Sequence, residues 1–130
     1  YSSYLHPLGA NRILGIGEES GQVKISLFDV SLADNPQEIN KYLLKEYWSE
    51  VSNNHHAFLE DAKNQVFFLP AGGNGYIFSY QNDVIEIKKA ISDISAKRAV
   101  YLDDYLYLAS DQGITVFDEK TWEKVNELKY

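Results

Sequence analysis

An all-β fold, divided into about three four-stranded antiparallel units, is what the sequence predicts, on the strength of three observations. Short runs rich in Val, Ile, Phe, Tyr and Leu recur along the chain, each bounded by Gly, Asn, Asp or Pro, as strands bounded by turns do. Groups of these runs can be laid over one another. Aromatic residues are abundant, with ten Tyr, six Phe and two Trp among 130 residues, and flat rings suit a pleated, half-buried surface. No long segment carries the 3.6-residue period of an amphipathic helix.

The first unit, residues 1–48, holds runs at Ser3–Pro7, Arg12–Gly17, Val23–Val30 and Ile39–Lys45. The second, 49–93, holds His56–Glu60, Gln65–Pro70, Gly75–Tyr80 and Val84–Ala90. The third, 94–130, holds Arg98–Leu102, Tyr105–Ser110, Ile114–Asp118 and Lys124–Lys129. The stretches Pro36–Trp48 and Lys120–Leu128 can be argued as helices, but each reads better as a turn followed by a strand. "AFLEDAKNQVFFLPAGGNGYIFSYQNDVIEIKKAI" aligns with "AVYLDDYLYLASDQGITVFDEKTWEKVNEL" strand for strand, and the first unit aligns with both through longer loops. Tight turns at Gly9–Asn11, Asp61–Asn64 and Asp103–Asp104 join the first two strands of each unit, and Gly21, Gly75 and Gly113 mark the start of each third strand. Asp29 and Asp118 fall at the same strand end, where the second unit has Tyr80.

The run "LFDVSLADNPQEI" gathers Asp29, Ser31, Asp34 and Asn35. An EF-hand needs ligands at alternate positions, a central Gly and a closing Glu; here the oxygens are unevenly spaced and Gly is absent. The run reads as the hairpin before an outer strand, with Asx-type bonding and Pro36 presetting φ.

At 130 residues the chain suffices for one domain with a real core. A formal net charge of −7 argues against a nucleic-acid partner, which requires a basic face, and against anionic membrane surfaces. No apolar run approaches the roughly 20 residues of a membrane span. Cysteine is absent, so there is no disulfide framework and no thiolate chemistry, which suits the cytosol or the outside equally. Methionine is absent even at position 1, which points to a processed chain or a piece of something longer.

A period of roughly 35 to 50 residues is that of four-stranded propeller blades. About three blades cannot close a ring of the usual four to eight, and an open arc exposes faces and edges. The expected partners are therefore the remaining blades of a longer parent, the favoured reading, or a second copy closing a six-bladed ring.

The segments "YLHPLGANRILGIGEE", "VKISLFDVSLADNPQEINKYLL", "YWSEVSNNHHAFLED" and "YLYLASDQGITVFDEKTWEKV" resemble the C-terminal part of the bacterial and archaeal β-propeller domain proteins, which are large, secreted or surface-attached and distantly similar to WD40 repeats. The resemblance covers essentially the whole chain. It implies a propeller, a secreted or cell-surface setting and a truncated chain; it supplies no catalytic motif.

If the blades are drawn this way, one face of the array carries His6, Glu18 and Glu19, the segment 47–55 with Trp48, Asn54 and His55, Gly72–Asn74, Asp93 and Asp111–Gln112. His6, Glu18, Glu19, Trp48, Asn54, His55 and Asp111 are the candidate ligand-binding residues. The opposite face carries Gly9–Asn11, Ser31–Pro36, Asp61–Asn64, Gln81–Asp83 and Glu119–Thr121. His55 and His56 are adjacent, so on a strand they point to opposite sides; His56 is expected to be absorbed within its blade. A metal set of His6, His55 and Glu18 is conceivable on ligand chemistry, but no metal or other cofactor is expected. Trp48 beside Tyr47 could stack a sugar or anchor a peptide side chain, although a wedge between blades is the favoured reading. Trp122 reads as packing. Glu18, Glu19 and Asp111 resemble paired glycosidase carboxylates but suit solvated loops better. No nucleophile elbow, phosphate loop, zinc-protease helix or dinucleotide fingerprint occurs.

The function that follows is a non-catalytic extracellular scaffold or binding module for protein or polysaccharide. The alternative is part of an extracellular hydrolase or lyase with its site on the propeller face. A weaker third idea is a calcium-stabilised module.

Overall fold

The computed structural model describes residues 2–49, 58–91, 98–102, 104–109 and 112–129. The strands are β1 (Ser2–Leu8), β2 (Arg12–Glu19), β3 (Gln22–Asp29), β4 (Gln37–Leu44), β5 (Leu59–Asp61), β6 (Val66–Ala71), β7 (Asn74–Ser79), β8 (Glu86–Ile91), β9 (Arg98–Leu102), β10 (Tyr105–Ala109), β11 (Gly113–Asp118) and β12 (Lys124–Lys129). They form three four-stranded antiparallel meanders, β1-β2-β3-β4, β5-β6-β7-β8 and β9-β10-β11-β12. Pro36–Trp48 and Lys120–Leu128, which could be argued as helices, deliver strands β4 and β12.

The repeat holds down to single bonds. Each third strand changes register against its outer neighbour just before a Phe, at Leu27/Phe28, Ile77/Phe78 and Val116/Phe117. After each third strand one backbone N–H returns to the first hairpin: Val30 to Asn11, Tyr80 to Gln65 and Glu119 to Asp104. These bonds correct one expected equivalence. Tyr80 matches Val30 and Glu119, while the counterpart of Asp29 and Asp118 is Ser79, paired with Val66 as Asp29 pairs with Arg12 and Asp118 with Tyr105. Asp29 and Asp118 do punctuate the hairpins as their chemistry suggests. Asp29 Oδ1 accepts from the Ser31 N–H at 2.9 Å, and Asp118 Oδ1 from the Lys120 N–H at 2.7 Å.

Two apolar seams join the sheets. Between the first and second lie Leu14, Ile16, Val23, Ile25 and Leu27 against Phe58, Phe67, Leu69, Ala71 and Phe78. Between the second and third lie Val66, Phe68 and Ile77 against Leu106, Leu108, Phe117 and Trp122. Side chains alternate along a strand, so β6 sends Phe67 and Leu69 one way and Val66 and Phe68 the other. Phe58, Phe67 and Phe78 form a column with ring centroids 5.5 and 5.3 Å apart, met at its end by Tyr42 at 5.2 Å. Trp122 is buried in the second seam, as the sequence predicts. On the margin of the first seam, Arg12 Nε and Nη2 grip the Asp83 carboxylate at 2.9 and 3.0 Å.

The outer faces differ. Leu5, 58% exposed, and Leu43 lie on the side of the first sheet away from the second; Val100 and Leu128, 60% exposed, lie on the far side of the third. The outer strands β4, β8 and β12 are mostly exposed and carry Lys41, Lys88, Lys89, Lys124 and Lys129, charges that blunt an unpaired edge.

Phe67→Ala should lower unfolding stability by about 3–5 kcal/mol, because a fully buried ring leaves a cavity, whereas Leu5→Ala should change it by no more than about 0.5 kcal/mol. Urea unfolding of both variants checks the contrast.

Candidate functional site

The candidate face is built around the connection from the first sheet to the second. Residues 44–49 run along the β6–β7 hairpin and are fixed at several points. The Val23 N–H donates to the Glu46 carbonyl at 2.8 Å, the Gly72 N–H to the Trp48 carbonyl at 3.1 Å, and Ser49 Oγ to the Pro70 carbonyl at 2.6 Å. Ser49 also bridges Ala71 in the antiparallel sense. The Glu46 side chain turns inward, where Oε2 accepts from Tyr76 Oη at 2.6 Å and from Asn74 Nδ2 at 2.8 Å. Burial, and then the bond to Glu46, push the Tyr76 phenol up to about 12. Gly72 is required here: its φ is +59°, and a Cβ would stand 2.5 Å from Glu46 Oε1.

This anchoring leaves Tyr47 81% and Trp48 52% exposed. The favoured expectation for Trp48, a wedge between blades, does not hold; the connection crosses over the hairpin end instead of entering the seam. Glu18 is exposed opposite Val23, one bond from Glu46. Glu19 is engaged by Lys24 at 3.4 Å and Lys41 at 3.6 Å, and its hydrogen bond from Lys24 holds its carboxyl below the usual range. Glu18 therefore lies near the Trp48 connection, while Glu19 turns with Lys24 and Lys41 to the side of the first sheet away from the second. Asn54, His55 and Asp111 lie outside the described residues, as do His56 and Asp93.

His6 is placed elsewhere. It lies on β1 opposite Leu14, four residues along β2 from Glu18, a span of about 13 Å at strand rise. Its Nε2 is 2.8 Å from Glu60 Oε1, and its Nδ1 is 3.2 Å from Tyr4 Oη. Glu60 Oε2 accepts from Tyr80 Oη at 2.5 Å, and the Phe58 ring centroid stands 4.7 Å from the imidazole. The four polar groups form one chain, Tyr4–His6–Glu60–Tyr80, in which the Tyr80 hydroxyl donates to Glu60. Burial, with Glu60 adding to it, raises both phenols. A carboxylate that orients an imidazole is part of many acid–base sites, but here both ring nitrogens already have partners. Among the described residues, no group of three or more His, Asp or Glu side chains is arranged to hold a metal ion.

Sequence reasoning missed Glu46, Glu60 and Tyr80. The available signal was alternation. In "FLED", Glu60 falls on the strand side that must face the preceding sheet, where a charge requires a partner.

Residues 1–122 match the family described as "Beta propeller domain". Two curated relatives have no characterised role. An uncharacterised protein of Archaeoglobus fulgidus is 56% identical over 129 residues, covering 99% of this chain and 20% of the relative. An uncharacterised protein of Methanocaldococcus jannaschii is 39% identical over 132 residues, covering 100% of this chain and 21% of the relative. The chain thus spans about a fifth of the length of these relatives.

Glu60→Gln removes the charge that both His6 and Tyr80 use and should lower stability by about 1–3 kcal/mol at neutral pH, read by urea unfolding. Glu46→Ala should bring the Tyr76 phenol down from about 12 toward its ordinary 10, read by carbon-13 titration of the labelled ring.

Proposed function

The chain belongs to the Beta propeller domain family, and on that basis we propose that it is a non-catalytic binding or scaffold module whose ligand docks on the rim at Tyr47 and Trp48. The observation that carries this reading is the combination of two exposed aromatic rings with a backbone tied down on both sides of them. Rigid aromatics give a large contact area at small entropic cost, which suits the faces of a sugar or an apolar protein side chain. The exposed Glu18 beside them and the net charge of −7 favour a neutral polysaccharide or a protein with basic surroundings over a polyanion. The proposed setting is secreted or at the cell surface, after the resemblance to such propeller proteins and their distant likeness to WD40 repeats.

The exposed apolar faces at Leu5 and Leu43 and at Val100 and Leu128 suit neighbouring blades. In this reading a longer parent supplies them, in keeping with relatives about five times as long; a second copy is the alternative. The His6–Glu60 pair is the one observation favouring a hydrolase or lyase reading, and it needs reactive groups from beyond the described residues.

Titration against a panel of neutral polysaccharides and of basic peptides should find a ligand whose affinity drops more than about tenfold in Trp48→Ala, with the unfolding midpoint unchanged and His6→Ala without effect on binding. Equal affinity for wild type and Trp48→Ala would remove the rim from the reading. Turnover of a polysaccharide that is abolished by His6→Ala would favour the enzyme reading.

A further inference from the structure

The seam between the second and third sheets carries a polar cluster that neither the rim nor the His6 chain uses. Asn64 Nδ2 lies 2.8 Å from Asp61 Oδ2, 2.8 Å from Glu119 Oε2 and 3.4 Å from Asp104 Oδ1. Three carboxylates surround one amide nitrogen, which has only two hydrogens to give. Asp61 ends β5, Asn64 belongs to the β5–β6 turn and Asp104 to the β9–β10 turn, and Glu119 follows β11. Glu119 is only 8% exposed, and its Oε1 has no hydrogen-bond partner; neither does the buried Tyr101 hydroxyl. An orphaned buried acceptor and an orphaned buried donor in one seam are a cost that a folded chain rarely carries twice.

The repeat relates these two atoms. Tyr80 and Glu119 are equivalent, each returning its N–H to the first hairpin of its own sheet. Glu60 and Tyr101 are equivalent as well: Glu60 is opposite Phe67, Tyr101 is opposite Leu106, and both lie one residue from the end of the first strand. The second sheet thus closes a Glu–Tyr pair at 2.5 Å. The third has the same two residue types with their places exchanged, and its pair is open. The reason is visible at the other carboxylate oxygen, which Asn64 of the preceding sheet holds.

We propose that Glu119 is a proton-operated latch between the second and third sheets. When protonated, it shares its proton with Asp61, keeps the Asn64 amide and holds the third sheet in place. When deprotonated, it adds a third negative charge to a cluster in which Asp61 and Asp104 already hold the available donors, and the third sheet opens more readily. The charges facing it are those of Asp61 and Asp104, with the phenol of Tyr101 in the same seam and that of Tyr80, which packs against the first seam, acting on Tyr101. The Lys63 ammonium reaches Asp104 at 3.4 Å from an exposed position while its N–H donates to Asp61, and Asp118 on Glu119's own turn is occupied by the Lys120 and Thr121 N–H groups. Lys120 acts on Asp104. No cation among these contacts the Glu119 carboxylate.

Burial first, and the negative charge of Asp61 next, push the Glu119 carboxyl up to about 7. The folded chain therefore holds this proton more tightly than the unfolded chain does. The stabilisation is complete below the ordinary value of 4.5 and is lost as pH rises through about 7.

The test is a carbon-13 titration of the Glu119 carboxyl, combined with amide hydrogen exchange from pH 5 to 8 in wild type and Glu119→Gln. The expected midpoint is near 7. After correction for intrinsic exchange, opening at the Glu119 amide should increase on the order of fiftyfold over this range in wild type, and stay flat in Glu119→Gln and at the Tyr80 amide of wild type. A midpoint near 4.5, or the same increase in the Gln variant, overturns the proposal. The titration needs no variant, so it decides the matter even if Glu119→Gln does not fold.

Discussion

A β-sheet that is apolar on both faces cannot stand in water by itself, and the structure depends on how the second sheet meets that constraint. Val66, Phe67, Phe68 and Leu69 are all buried, so β6 lacks the in–out polarity of a half-exposed strand. Its odd residues fill one seam and its even residues the other. The flanking sheets are thereby held in order, and each is left with one open face. Burial of this kind is non-directional; it draws sheets together without choosing their alignment.

Alignment comes from polar groups set at the seams. Glu46 ties the first connection to the β6–β7 hairpin, Glu60 joins β1 to the end of β7 through His6 and Tyr80, and Arg12 holds Asp83. A buried polar group that is satisfied in only one register penalises every other. The functional consequence lies at the rim: Tyr47 and Trp48 can stay exposed on a fixed backbone because the groups on either side of them are already bonded.

Much of the fold was legible in the sequence, since strands and turns leave local marks. Alternation, Asx residues and hairpin glycines placed all twelve strands to within a few residues. The third-strand end is misaligned by one position in the second unit, because Tyr80 stands next to where the others have an Asp, and the backbone bond to Gln65 with the Ser79–Val66 pairing reveals the true equivalent. The site was less legible. Glu18 lies near the Trp48 connection, but Glu19 turns to the outer side of the first sheet with Lys24 and Lys41, and His6 is drawn into a seam by Glu60, a residue 54 positions away. Glu119, placed by the sequence on the opposite face, is buried because a turn of the preceding sheet closes over it. Such pairings depend on which sheets stack, and nothing local in the chain records that.

Native-state hydrogen exchange across the whole chain tests the central claim most directly. If the second sheet is the element on which the others are built, the slowest amides fall in β6 and β7 and exchange only through global unfolding, while β4, β8 and β12 open locally. Slowest exchange in β2–β3 or β10–β11, or three sheets exchanging as independent units, would contradict it.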